Sequence, residues 1–432
     1  MVHLTQADTI VLRNLDHDIQ TKSRPDSERG WDEAGRLQTE NATEDVREKQ
    51  VEEGSKEDDC DDDTTSIELL TKLAEQTTVF TMWDLDQIEK GIRNSLVQPY
   101  ISWASSIVRY PTDIVFLTHI LIYTFTLPLS AARLFYKFSW IHGILHLLFE
   151  VWCAGAWTLL MHNHIHNNGL LAKKYAWIDR SFPYLLGPLL GHTWDSYYYH
   201  HVKHHHVENN GPGDLSSTIQ YQRDSPFDFL MYEARFLALA WIELPIYFFR
   251  KRQWITGLKS LSTECSSLCL IFVLARLNFR PALFTFILPL TIMRIAMMVG
   301  NWGQHCLVDE LDPNCDFRSS ITLIDEASNR HCFNDGYHTS HHLNARRHWS
   351  KHPVRFLQSK KRYAVEGALT FKNIDYMMVT IKVLQKDYDY LARCLVPMGA
   401  QIRMTHQEKM DMLRSKTRKF SAEEIKAKWG KK

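Results

Sequence analysis

Neither sign of charge is in excess in this 432-residue chain: 50 Lys and Arg stand against 50 Asp and Glu. A balanced chain gives no reason to expect a nucleic-acid partner. No CxxC pair occurs among the eight cysteines, at 60, 153, 265, 269, 306, 315, 332 and 394. Several fall in apolar runs, where a thiol acts as a small hydrophobe. That pattern excludes a disulfide framework and points to a reducing compartment. The opening MVHLTQADTIVLRNLDHD has no uninterrupted apolar core, so it does not read as a signal peptide. No internal repeat is visible.

Apolar character is also scarce on average, with a slightly polar mean hydropathy, but the average hides the pattern. Long apolar blocks lie between 112 and 300, and both ends are polar. Residues 1–65 carry many charges, few aromatics and the acidic run Glu57 to Asp63. Such a segment buries too little apolar surface to order itself and is expected to be disordered. Over 66–111, Trp83, Leu85, Ile88, Ile92 and Leu96 recur at helical spacing. They predict an amphipathic helix, either in the membrane interface or packed on a soluble domain.

Four stretches are long and apolar enough to cross roughly 30 Å of hydrocarbon: about 113–132, 139–161, 261–278 and 281–300. Short links pair them into two hairpins. The segment 228–249 carries Glu233, Arg235 and Glu243 and reads as a helix along the membrane surface. Phe182–Gly191 is too short to span. The expected fold is an all-α integral membrane protein, its four spans capped by a helical domain, with a membrane domain over 112–360 and a basic helical tail over 361–432. By parity, 162–227, 301–432 and the N-terminus share one side. Lys173–Lys174, Arg250–Lys251–Arg252 and Arg346–Arg347 fall there and favour the cytosol. Arg133, Lys137, Arg276 and Arg280 fall on the other side.

The chain has 22 histidines, and three clusters stand at the predicted membrane edge. HNHIH holds His162 and His166 at i and i+4, hence on one helix face, with His164 pointing elsewhere. HHVKHHH offers His201 with His204, His205 and His206. HTSHH holds His338, His341 and His342, and NWGQH adds His305 with Asn301 one turn earlier. Neutral imidazole binds iron, zinc and copper. One ion takes about three or four protein ligands, so this set suits two, and iron is the candidate with oxygen chemistry. There is no paired Glu-x-x-His of the soluble ferritin-like kind. His119, His142, His146, His192, His331, His348 and His352 read as structural or solvated. His142 and His146 lie about 16 residues, roughly 24 Å, from His162 along one helix and cannot share its site.

At these residues the sequence resembles the membrane fatty-acid desaturase and hydroxylase superfamily, over roughly 100–360. The boxes HNHIH, HHVKHHH and HTSHH match in order and topology, and NWGQH looks like the extra ligand site of acyl-CoA desaturases. The resemblance implies a di-iron, O2-dependent lipid acyl desaturase in which His305 binds iron and Asn301 reaches the metal through water. The first box has the three-residue spacing of acyl-lipid desaturases. The second allows two registers, His201 with His204–His205 or with His205–His206. The third begins with His338, where front-end desaturases usually have Gln, and no HPGG-type haem motif is present. A separate electron donor, of cytochrome b5 or ferredoxin type, is therefore expected. The same ligands serve a hydroxylase or acetylenase, and a sterol, sphingolipid, carotenoid or polyketide chain is a possible substrate. A membrane metal transporter is the rival from another class, although transport sites usually lie near the bilayer midplane. The aromatics Trp194, Tyr197, Tyr198 and Tyr199 are expected to pack. An endoplasmic-reticulum membrane is the expected location.

Overall fold

The computed structural model describes residues 5–22 and 60–430. In chain order its main helices begin with α1 (Gln6–Lys22), α2 (Cys60–Ala74) and α3 (90–104). Then come α4 (Ile114–Tyr136), α5 (Trp140–Asn167), α6 (Ala176–Leu186) and α7 (198–208). The long helices α8 (Pro226–Arg250), α9 (Trp254–Leu277) and α10 (Phe279–His305) follow. The last are α11 (His338–Leu343), α12 (Lys360–Val365), α13 (Tyr376–Leu384), α14 (Tyr388–Cys394), α15 (His406–Ser415) and α16 (Ala422–Trp429).

Four helices are long and apolar enough to cross a membrane: Pro111–Tyr136, Trp140–Asn167, Trp254–Leu277 and Phe279–His305. They form the two expected hairpins. Large apolar side chains point out of them, including Phe125, Leu129, Leu145, Trp152 and Phe272, each more than half exposed. An exposed apolar stripe of this kind needs lipid to cover it. Each helix outruns the span read from hydropathy. The 28 residues of α5 measure about 42 Å, against some 30 Å of hydrocarbon. The surplus carries His162 and His166 out of the apolar layer on an unbroken helix, and the end of α10 carries His305 in the same way. The long helix expected over 228–249 is present as α8.

The cap is helical apart from a two-stranded parallel sheet of β1 (Ile321–Ile324) and β2 (Leu369–Lys372), in the register Ile321↔Leu369 to Ile324↔Lys372. Both strands are short apolar runs buried among helices, the setting a parallel pair requires. Its core joins Trp302 of α10, Tyr232 of α8, Leu323, Phe371, Val379, Tyr388, Leu391 and Leu413.

Three expectations are corrected here. Residues 6–22 and 60–65 are helical, not disordered: Val11 and Leu15 of the first stretch bury against Leu70, Tyr337 and Phe356. The buried ammonium of Lys360 ties α1 to α2 through Asn14, Asp18 and Asp63. The apolar face is only a few residues wide, so tertiary partners rather than composition give this helix its stability. The rest of that expectation, residues 1–4 and 23–59, lies outside the described residues. Second, 66–111 is not one helix. Between α2 and α3 the chain turns through 75–89, so Trp83, Leu85 and Ile88 leave the helical register, and only Ile92 and Leu96 lie on α3. Third, 361–432 does not trail from the membrane domain. It supplies β2, α13, α14 and α15, hence much of the cap core, and Phe420 near its end is buried against Ile219 and Val308.

Arg223, fully buried, holds the cap to the spans. Its guanidinium donates to the carbonyls of Cys306 at 3.1 Å and Lys416 at 3.1 Å. A buried guanidinium is tolerable when its fixed fork of donors meets carbonyls in this way.

Candidate metal centre

The histidines come from four elements. α5 presents His162 and His166 on one face at its projecting end. The second cluster lies on α7, whose stretch Tyr198–His205 is a π-helix. Its i→i+5 ladder stacks residues five apart. His201 and His206 therefore face the same way, with their Nε2 atoms 3.1 Å apart. In an α-helix those two side chains would diverge. α10 ends on His305, and α11 carries His338, His341 and His342.

Nine of the ten expected histidines converge, in two adjoining groups. In the first, His162, His166, His201, His206 and His341 hold ligand atoms within 4.8 Å of one another. His162 Nε2 is 2.9 Å from His201 Nε2 and 3.1 Å from His341 Nε2, and His341 Nε2 is 2.9 Å from His206 Nε2. In the second, His205, His305 and His342 are gathered in the same sense, and His338 Nε2 is 3.1 Å from His305 Nε2. The groups adjoin: the rings of His206 and His342 are 5.1 Å apart.

His204 departs from expectation. It is fully buried, turned away, and its Nε2 accepts the Leu215 N–H at 2.9 Å. Of the second cluster, His201, His205 and His206 are thus the side chains that turn into the two groups. The π-turn sends His204 to the opposite side of α7, against Tyr247. Asn301 lies one turn before His305, and its amide donates to the Ser216 carbonyl and the Tyr232 hydroxyl. The seven histidines read as structural stay out of both groups; His119 meets Tyr123, His348 meets Asp113 and His352 meets Ser340. His164 turns to the Asp179 carbonyl.

The donor set fits metal ions. Two nitrogens about 2.1 Å from one ion and at right angles to each other lie about 3.0 Å apart, the separation found repeatedly here. Without a cation, so many converging imidazoles cannot satisfy one another, and the buried Nε2 atoms of His166 and His342 have no hydrogen-bond partner. Burial, then the neighbouring imidazoles, push His201, His206, His338, His341 and His342 below the ordinary histidine range. They stay neutral, the form that ligates.

A second layer orients the rings, and the sequence did not reveal it. Asp214 is fully buried and accepts from His205 Nδ1 at 2.7 Å, Ser216 N at 2.9 Å and Ser216 Oγ at 2.7 Å. Burial would raise its pKa, but the His205 and His204 imidazoles outweigh it and hold Asp214 well below the usual carboxylate range. With Nδ1 engaged on Asp214, His205 leaves Nε2 for the site, the carboxylate–histidine pairing that orients a ring able to ligate a metal. Asn209, in left-handed backbone at φ 48°, does the same for His342 through Oδ1, 3.0 Å from Nδ1. The one available signal was a lone Asp shortly after the second box, in a turn rich in Asn and Gly.

The aromatics beside the second box divide. Tyr199 packs on Phe248, as expected. Tyr197 instead lies against His162 and His201, with ring centres 6.4 and 5.2 Å away, and lines two narrow clefts. On the other side, a small cleft on His162, His166 and His341 shares Phe333, Asn334 and Trp349 with a cavity of about 620 Å³ under α1 and α2.

A family model described as fatty acid desaturase matches residues 138–363, which include every one of these histidines. No curated protein and no solved structure matches the chain. Four apolar helices, two converging groups of histidines and a match over just over half of the chain lead to one conclusion: this protein belongs to the fatty acid desaturase family and is an oxidoreductase-type membrane enzyme.

Proposed function

We propose that this protein is a di-iron, O2-dependent desaturase that introduces a double bond into a lipid acyl chain. The observation that carries the reading is the convergence of nine imidazoles into two adjoining groups at the projecting ends of α5 and α10. His162, His166, His201, His206 and His341 would hold one iron, and His205, His305, His338 and His342 the other. Bound there, two irons supply the O2 activation needed to remove hydrogen from an unactivated methylene.

The chain's own residues do the rest. Asp214 and Asn209 fix the ring orientation of His205 and His342. The buried helix ends hold these positions rigidly, and methylenes are chemically alike, so placement sets which carbon pair reacts. Tyr197 and the apolar clefts beside it exclude water from the face of the first group. The histidines belong on the cytosolic side of the endoplasmic-reticulum membrane, where a separate cytochrome b5- or ferredoxin-type donor would deliver electrons. Their position at helix ends rather than midspan speaks against a transporter.

Expression in a simple eukaryotic host, with mass spectrometry of its lipids and iron analysis of the purified protein, tests the reading. New unsaturated chains and about two irons per chain are expected. Hydroxylated chains would move the assignment to hydroxylase. An active preparation devoid of iron would overturn the proposal.

A further inference from the structure

An ion pair sits in the middle of the second hairpin, well away from the histidines. Glu264 lies about midway along α9, and Arg294 about midway along α10, eleven residues or about 16 Å before His305. Their side chains meet directly, and the Thr193 hydroxyl donates to the other carboxylate oxygen. Charged groups at this depth are costly, and persist where they face protein or a polar cavity. Glu264 is buried, whereas the Arg294 side chain remains one-fifth exposed. Among the described residues its only hydrogen bond runs to Glu264. A guanidinium has five N–H donors, so most of its fork is left for another acceptor.

That fork borders a cleft. Its lining combines the apolar Phe236, Leu244 and Met297 with Thr193, Glu264 and Tyr197. Tyr197 is shared: its ring lines the cleft and packs on His162 and His201, so one side chain separates the ion-pair cleft from the proposed iron site. An ordinary hydrocarbon tail has nothing to offer a guanidinium. The pair is neutral as a whole, so an anionic ligand would find its attraction to Arg294 offset by Glu264.

We infer that the Glu264–Arg294 pair is a substrate-recognition site for a neutral oxygen acceptor, a hydroxyl or carbonyl, carried by the chain at a distance from the reacting carbons. This deepens the desaturase reading and rests on it. The oxygen can come from the ester that links chain and head group or from a group within an oxygenated chain.

Binding of three tritiated probes, octadecane, methyl stearate and methyl 12-hydroxystearate, to the purified full-length protein in lipid nanodiscs separates the cases. The wild type is expected to bind an oxygenated probe about 10- to 100-fold more tightly than octadecane, the size of one hydrogen bond to a charged donor. Preference already complete with methyl stearate assigns the ester carbonyl; a gain only with the hydroxylated chain assigns an in-chain oxygen. Replacing a buried ion pair by apolar residues of similar volume is tolerated by many folds. The double variant E264L/R294M should therefore keep its iron and bind octadecane at least as well, while its preference falls to about twofold or less. If it does not accumulate in membranes, E264Q/R294M, with an isosteric amide at 264 and no guanidinium at 294, should show the same loss. Equal binding of all three probes by the wild type, or a preference that survives in the variants, would overturn the inference. The readout needs no turnover. A protein that binds oxygenated chains but leaves host lipids unaltered would defeat the desaturase reading alone.

Discussion

Replacing Asp214 by Asn should strip metal from one of the two histidine groups while leaving the fold intact. The carboxylate takes hydrogen bonds on both oxygens: Oδ2 from His205 Nδ1 and Asn210 N, and Oδ1 from Ser216 N and Oγ. An amide of the same shape has one acceptor oxygen and one donor nitrogen. If its nitrogen faces His205, the ring must accept at Nδ1 and carry its proton on Nε2, the atom that aims at the second group. If its nitrogen faces Ser216, it meets the Ser216 N–H head on. Either orientation loses a charge-assisted bond of about 1.5–3 kcal/mol. Loss of such an orienting partner typically weakens metal affinity 10- to 100-fold, or about 1.4–2.8 kcal/mol. Purified D214N should carry about one iron per chain instead of two after equilibration with a chelator that leaves wild type loaded, as read by plasma mass spectrometry. Unchanged iron content and chelator resistance in a folded D214N protein would refute the assigned role of Asp214 in orienting His205.

The register on α7 gives a sharper contrast between neighbours: H206Q should lose iron, whereas H204Q, which can still accept the Leu215 N–H, should retain it; equal losses in an iron assay would count against the π-turn assignment. A methyl group on Gly303 would lie 2.2 Å from the Tyr376 carbonyl oxygen, so G303A should push α10 and α13 apart and lower stability by about 1–3 kcal/mol or more, read as a fall in detergent melting temperature. Asp8 is buried against Tyr337 and Asn329, and burial lifts its pKa from 3.8 to about 6. The folded state therefore binds the extra proton, so this contribution is fully present below about pH 4 and is lost as pH rises through 6. It amounts to about 3 kcal/mol at most. Proteolysis of α1 should quicken between pH 5 and 7.5 in wild type and stay flat in D8N.

Much of the site could be read from residue types alone. The i,i+4 pair His162 and His166, the run from His201 to His206 and the HTSHH box announce clustered imidazole wherever they fold. The four spans follow from length and apolarity, which the bilayer demands of any helix that crosses it. Other features resisted reading because they depend on distant partners. The α1 helix is a weak helix former until Val11 and Leu15 find α2 and the third-box segment. The tail beyond 360 looks like a charged appendage until its scattered apolar residues are counted against β1 and α10. Trp83 and Ile88 mimic a helical stripe across what is a turn.

The sequence by itself determined that this protein is a four-span helical membrane enzyme whose histidines gather at one end, because hydrophobic length and ligand spacing are local properties. Only the tertiary structure decided which histidine of the second cluster turns outward, that Asp214 and Asn209 orient the rings, and that Glu264 and Arg294 meet between α9 and α10. Each of these depends on a backbone register or a contact across helices, and such contacts are set by packing between residues far apart in the chain.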